Sequence, residues 1–410
     1  MNKDTGYTEP GLGRLRALLH ALPVGIWGLG LTSMFMDISS ELVHSLLPVF
    51  MSSVLGASMM SIGLIEGFAE ATASVTKLFS GTLSDRWGRR RPLLLVGYGL
   101  AAVTKPVFPL ASTIAWVAAA RFLDRVGKGI RGAPRDALIA DITPAESRGA
   151  AYGLRQALDS LGAALGPLAA IVCMVLLSGN IKAVLWVGVA PAFIAVLLLV
   201  LMVKEPASVP RTAGLSSPLD AAGLRRLGAR FWYLAALGAL FTMARFSEAF
   251  LVLRAQRAGL SLTLVPLVMV VMNVVYASVA YPAGRAADGR DPRVLLMLGL
   301  VVLVIADIVL ARAGSASMVL LGAAIWGLHM ALTQGLFSKL VADVAPAGLR
   351  GTAFGVFNLV SGVSVLVAST VAGILWSRYG YAATFFGGAL FAALTAVGVL
   401  FTRLRVHSGN

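Results

Sequence analysis

Long apolar runs alternate with short polar breaks over the whole 410-residue chain, and twelve such runs centre near residues 32, 70, 103, 125, 163, 193, 242, 272, 302, 328, 363 and 392. A helix needs about 20 mostly apolar residues to cross a hydrocarbon core of roughly 30 Å. The pattern therefore predicts an all-α integral membrane protein with twelve transmembrane helices.

The longest polar stretch runs from Lys204 to Arg230 and contains Pro206, Pro210, Ser216, Ser217 and Pro218. It reads as a linker at 204–230 between six-helix bundles at 1–203 and 231–410. An internal repeat supports the division. Leu138-Ile-Ala-Asp141-Ile-Thr-Pro144 through Arg148-Gly149 to Gly153 recurs as Leu340-Val-Ala-Asp343-Val-Ala-Pro346 through Arg350-Gly351 to Gly355, 202 residues further on. Gly81 and Asp85 return as Gly284 and Asp288, offset by 203. A repeat of half the chain is what duplicated transporter halves leave behind.

The breaks differ in charge. One side of the predicted bundle collects Lys3, Arg14, Arg16, Arg86, Arg89, Arg90, Arg91, Arg148, Lys204, Arg211, Arg225, Arg226, Arg230, Arg285, Arg290, Arg293, Arg350, Arg403 and Arg405; the other collects Lys182, Arg254, Arg257, Arg312 and Arg378. Basic loops stay in the cytoplasm, so both termini are expected there, in a multi-pass protein of the cell inner membrane. Composition agrees: 58% of residues are hydrophobic and 13% charged, against about 25% charged in soluble domains. The net charge of +15 then sets topology and meets the anionic lipid bilayer rather than nucleic acid. Cys173 is a lone cysteine within an apolar run, so no intramolecular disulfide is possible.

Between the second and third runs lies Gly81-Thr-Leu-Ser-Asp85-Arg86-Trp-Gly88-Arg89-Arg90-Arg91-Pro92. Its G-x-x-x-D-R-x-G-R-R order resembles the signature loop of the major facilitator superfamily, the twelve-helix secondary transporters. The fifth run, Gly153-x8-Gly162-x3-Gly166-Pro167, is similar to the fifth-helix motif of that superfamily's proton-coupled antiporters, with Ala170 and Ile171 where the motif ends in two glycines. Arg125-Val-Gly-Lys128-Gly129 resembles the R-x-x-Q-G motif, with Lys128 at the glutamine. The resemblance implies two pseudo-symmetric bundles around a cavity that opens alternately to each side. It implies a cytoplasmic gate at Gly81, Asp85, Arg86, Gly88, Arg89 and Arg90, with Asp85 and Arg86 locking it and Asp85 facing a helix that starts near Arg350. Gly153, Gly162, Gly166 and Pro167 would form a kinked interface helix, since proline removes a backbone donor and small residues let helices approach.

The runs themselves are charged. Asp37, Glu41 and His44 follow i, i+4, i+7 in the first; Glu66 and Glu70 lie one turn apart in the second; Arg121, Asp124, Arg125 and Lys128 crowd the fourth; Arg155 and Asp159 are i, i+4 in the fifth. Arg131 and Arg135, nearer the end of the fourth, are expected to snorkel. Charges in a membrane mark a pathway, a relay, a binding site or a static salt-bridge network. In the second half Arg245 and Glu248, one turn apart, are expected to pair, and Asn273, Tyr276, Asp307, His329, Gln334 and Asn358 are scattered.

No H-E-x-x-H or phosphate-binding loop occurs, so neither an enzyme nor an ATP-driven motor is indicated, and no cofactor is expected. The favoured function is a proton-coupled antiporter, monomeric, exporting a small amphipathic or charged compound. Asp37, Glu41, Glu66, Glu70, Arg121, Asp124, Arg125, Arg155 and Asp159 would serve coupling and substrate. Alternatives are a symporter clamping an organic anion with Arg121 and Arg125, a metal-ion transporter using Asp37, Glu41 and His44, and a non-transporting sensor.

Overall fold

The computed structural model describes residues 22–144, 147–205, 221–288, 291–333, 336–346 and 349–401. These residues are helical and contain no strand. The first half comprises α1 (Val24–Val49), α2 (Met59–Trp87), α3 (Arg91–Thr104, continued by Val107–Leu110), α4 (Ile114–Ile142), α5 (Arg148–Leu176) and α6 (Ile181–Val187 and Val189–Met202). The second comprises α7 (Gly228–Ala244 and Ala249–Arg257), α8 (Leu267–Asp288), α9 (Pro292–Arg312), α10 (Ala316–Thr333 and Leu336–Val344), α11 (Arg350–Tyr379) and α12 (Tyr381–Leu400). Each of the twelve apolar runs thus became a helix. Within the stretch read as a linker, 206–220 lies outside the described residues, and a short helix, Ala221–Arg226, precedes α7.

By length and composition alone, eight of the described helices can cross a membrane. Helices α1, α2 and α4 are not among them because they carry the intramembrane charges, and α8 is not because its apolar stretch, Leu267–Ala280, is shorter. Those charges are tolerated where they face one another inside the bundle instead of lipid. Lipid-facing positions are apolar and exposed, among them Phe68, Val96, Trp116, Leu176, Leu201, Val301 and Leu390.

Small residues set the helix spacing. Gly162 and Gly166 bring α5 onto α1: an added Cβ would stand 2.6 Å from the Met34 carbonyl oxygen and 2.7 Å from Glu41 Cβ. Gly153 and Pro167 behave differently. Pro167 sits inside α5 as expected, but a Cβ on Gly153 would meet nothing within 4 Å, so this glycine takes no part in the packing. Gly81 is in close contact, its added Cβ lying 3.3 Å from Ala133.

The halves meet along α2 and α11. From one end to the other, Gly373 seats on Met59 and Met60, Gly63 on Ser369, Gly67 on Leu366, Gly362 on Ser74 and Gly355 on Leu78. Close backbone approach of this kind drives helix association where lipid supplies no hydrophobic force. Away from the arginine-rich loop the two halves share one apolar core, with Phe50, Ile62 and Met174 of the first joining Phe250, Phe385 and Trp376 of the second. Near that loop the first half keeps a core of its own, built from Ile26, Leu94, Tyr98, Leu138 and Leu199. The shared end is also tied by Gln256, which donates to Ser53 Oγ at 2.8 Å across the halves.

Candidate functional site: a charged cavity between the halves

A cavity of about 410 Å³ lies between the bundles. From the first half it is lined by Glu41, His44, Glu70, Arg125, Lys128 and Ala163, and from the second by Phe241, Arg245, Phe246, Ser247, Glu248, Asn273 and Trp326.

Behind the first-half wall runs a chain of ion pairs joining α1, α2 and α4. Glu66 is 0% exposed and accepts from Arg121 Nη2 at 2.6 Å. His44 stands between carboxylates, with Nδ1 3.7 Å from Glu41 and Nε2 3.7 Å from Glu66. Arg125 meets Glu70 at 3.0 Å. The one-turn spacings predicted from sequence therefore pair between helices: Arg121 and Arg125 of α4 match Glu66 and Glu70 of α2 rung for rung. His44 links the cavity-lining Glu41 to the sealed Glu66.

Other sequence expectations land elsewhere. Asp124 points away from the cavity to Lys105 Nζ at 2.8 Å, and that ammonium also donates to Ser40 at 3.0 Å. Lys105 follows the first segment of α3, near the middle of the third apolar run, and is 1% exposed; it was not among the intramembrane charges expected from sequence. Arg155 and Asp159 pair at 2.5 Å and join Arg135 and Asp136 in a second network. Arg135 and Arg131 do not snorkel. Arg135 donates to Ser33 Oγ at 2.6 Å, and Arg131 stacks on Tyr98 with its guanidinium carbon 4.7 Å from the ring centre. Anions and an aromatic face within reach offer these guanidiniums more than a route to the interface does. Asp37 makes no hydrogen bond or ion pair among the described residues; its Cβ lies against Gly162.

The residues of two alternatives have partners in this arrangement. An anion clamp from Arg121 and Arg125 would need free guanidiniums, and both are engaged by glutamates. For a metal site on Asp37, Glu41 and His44, the imidazole turns to Glu41 and Glu66 instead, and among the described residues no group of three donors is placed to hold an ion.

The second-half wall is built differently. Helix α7 is interrupted at residues 245–248, so Arg245 and Glu248 are not one helical turn apart and form no ion pair among the described residues. Arg245 instead lies over the Phe241 ring, 5.5 Å from its centre. The interruption contains neither glycine nor proline. Its backbone is held by serines: Ser247 N–H donates to Ser369 Oγ of α11 at 3.1 Å, and Ser247 Oγ accepts from Ala249 N–H at 3.3 Å. Serine competes with helical hydrogen bonding in this way, and broken backbone is tolerated at membrane depth where it lines a cavity. Behind it Phe246 packs on Phe250, Trp326 and Phe385, each centroid 5.6 Å away. Deeper still, Asp307 is fully buried with neither carboxylate oxygen hydrogen-bonded, and His329 Nδ1 lies 2.8 Å from the Gly299 carbonyl oxygen.

At the loop, Asp85 is engaged by Arg90. Arg90 is 7% exposed, and its guanidinium bonds Asp85 at 2.5 Å, Ser84 at 2.6 Å and Asp141 at 3.2 Å. Burial opposes its charge, but Asp85 and Asp141 outweigh that effect and raise its proton affinity above that of an ordinary arginine. Gly88 ends α2 at φ 61°, turning the chain so that Arg90 folds back. Glu205 then accepts from the backbone N–H groups of Arg90 and Arg91 at 2.7 and 2.8 Å, a carboxylate at the start of α3. Arg89 is exposed. The loop thereby joins Asp141 of the repeated stretch. Helix α11 begins at Arg350 as expected, while the side chains of Arg350, Gly351, Asp288 and Asp343 lie outside the described residues.

Two six-helix halves around a charged cavity are the architecture of a secondary transporter, and the profile of the Major Facilitator Superfamily matches residues 29–364 and 248–410. The chain belongs to that superfamily and is a multi-pass membrane transporter of small molecules, not an enzyme. It is 29% identical over 388 residues to an uncharacterized MFS-type transporter, MJ1317, of Methanocaldococcus jannaschii, covering 93% of this chain and 95% of the relative. It is 23% identical to the inner membrane transport protein YajR of Escherichia coli, covering 90% and 81%. Among solved structures, the nucleoside transporter NupG (D323A mutant) superposes with a TM-score of 0.78 at 14% identity, covering 92% of this chain and 100% of that one.

Proposed function

We propose that this transporter is a proton-coupled antiporter of the cell inner membrane, both termini cytoplasmic, exporting a small compound through the cavity between its halves. The observation that carries the reading is the shared wall. Glu41 and Glu70 face the cavity, and His44 connects Glu41 to the buried Glu66–Arg121 pair. A proton arriving on such a wall changes the charge that a substrate meets, so the two ligands bias the same equilibrium in opposite directions. Asp37, Arg155 and Asp159 border this network as further candidates for the coupling step. The Asp85–Arg90–Asp141 cluster would hold the cytoplasmic gate, and Asp124 serves to seat α4 on α3.

The test is proton movement in everted membrane vesicles with an acidic interior, challenged with lipophilic cations, organic anions, zwitterions and divalent metals. Alkalinisation of the interior by one class, lost in vesicles carrying Glu41→Gln, is the expected result. Silence toward every class, with the protein inserted, sends the reading to uptake instead.

A further inference from the structure

The charges facing the cavity are balanced in sign and divided between the halves. Arg125, Lys128 and Arg245 oppose Glu41, Glu70 and Glu248. Arg125 and Glu70 satisfy each other at 3.0 Å, and Glu41 keeps His44 at 3.7 Å. Lys128, Arg245 and Glu248 form no ion pair among the described residues. Glu248 belongs to the second half, yet it lines the same cavity as His44, Glu41 and Glu70 of the first, together with Arg245 beside it. Lys128, on the first half, likewise lines it together with Arg125, Glu70 and Glu41. Between these polar groups Phe241, Phe246 and Trp326 form an apolar side.

Charges that face a cavity unpaired are costly unless water or a ligand meets them. A simple cation entering here would meet Lys128 and Arg245, and a simple anion would meet Glu248 and Glu41. A molecule that carries both signs and no net charge satisfies all of them together. Like-charge contacts discriminate against the wrong partner as strongly as opposite charges favour the right one. The volume of about 410 Å³ is toward the small end of ligand pockets.

We propose that the cavity selects a small zwitterion with an apolar or aromatic body. Its anionic group is met by Lys128 and Arg245, its ammonium by Glu248 with Glu41, and its body by Phe241, Phe246 and Trp326. Drawing Arg245 and Glu248 toward first-half charges would also tie the broken α7 to the opposite bundle when substrate is bound. The inference rests on reading this cavity as the translocation site and is independent of proton coupling.

The test is ligand-induced thermal stabilisation of the purified full-length protein in lipid nanodiscs, with matched probes. Phenylalanine and 4-(aminomethyl)phenylacetate carry both charges; phenethylamine carries the cation alone, and 3-phenylpropanoate the anion alone. At least one zwitterion is expected to stabilise the protein at concentrations where neither single-charge probe does. Glu248→Gln should weaken that zwitterion about tenfold or more, as loss of a charged hydrogen bond does, while admitting 3-phenylpropanoate. Lys128→Gln should do the converse and admit phenethylamine. A merely structural role for either residue predicts no exchange of preference between the two single-charge probes. Stabilisation by a single-charge probe equal to that by the zwitterions, or by none of the four, overturns the proposal. Because binding at equilibrium needs no proton gradient, that failure stands apart from failure of the vesicle assay.

Discussion

The two halves come from one repeated plan but handle charge in opposite ways. In the first half Glu66, Glu70 and Asp124 each hold a cation from another helix, at 2.6, 3.0 and 2.8 Å. In the second half the buried Asp307 has no hydrogen-bond partner for either oxygen, and Arg245 and Glu248 face the cavity across a break in α7. A paired charge mainly fixes helices relative to one another; an unpaired one is held ready for something that comes and goes. The first half thus resembles a scaffold whose cavity edge carries Glu41, His44 and the Lys128 that is unpaired among the described residues, and the second an adjustable wall.

The largest effect expected from that contrast is at Arg121. Arg121→Ala leaves Glu66 charged and sealed, which should cost about 3–5 kcal/mol, read as a fall in thermal unfolding temperature in detergent. The paired replacement Arg121→Leu with Glu66→Leu should recover most of this loss and still abolish transport. Full transport in that double variant would reduce the pair to packing.

The arginine cluster gives the next contrast. Arg90→Ala removes three side-chain bonds at the loop and should destabilise by about 2–3 kcal/mol, a charged hydrogen bond contributing a net ~1.5–3 kcal/mol and the partly exposed Asp85 and Asp141 regaining water. Arg89→Ala, at an exposed site, should change stability by less than about 0.5 kcal/mol. Equal effects would mean that the three consecutive arginines act only through their charge.

Asp307 provides an effect of opposite sign. A buried polar group left unsatisfied costs about 1–3 kcal/mol, so Asp307→Leu should raise stability by up to about that amount. A large loss of stability would show that the carboxylate has an essential partner. Smallest is the tie across the shared end: Gln256→Ala removes one exposed hydrogen bond, about 0.5–1 kcal/mol. Its signature should be kinetic, a faster exchange rate with little change in unfolding temperature.

Much of this arrangement was legible in the chain. Eight helices announce themselves by apolar length and composition, the charged α1, α2 and α4 show as apolar runs between polar breaks, and the half-chain repeat points to two bundles. Gly162 and Gly166 were readable because only small residues allow α5 to lie against Met34 and Glu41. Periodicity also placed Arg121 with Arg125 and Glu66 with Glu70 on single faces. Partnership was harder to read. Lys105 is a single cation within an apolar run with no acidic residue at helical spacing to suggest its partner, Asp124 of the next helix, and Arg90 could not be told from Arg86 and Arg89 within one basic cluster. Arg245 and Glu248 were expected to pair because their i, i+3 spacing assumes an unbroken helix. Nothing local signals the break there, since the serine that holds it open, Ser369, is 122 residues from Ser247.

The sequence by itself determined the membrane class, the count and order of helices and the inventory of charges, because hydrocarbon thickness and backbone hydrogen bonding leave an apolar segment little choice but to span as a helix. Tertiary structure decided which charges cancel and which stay available. Ion pairing acts over a few ångströms between helices that only packing brings together, and small rotations of a helix exchange a buried partner for an open cavity.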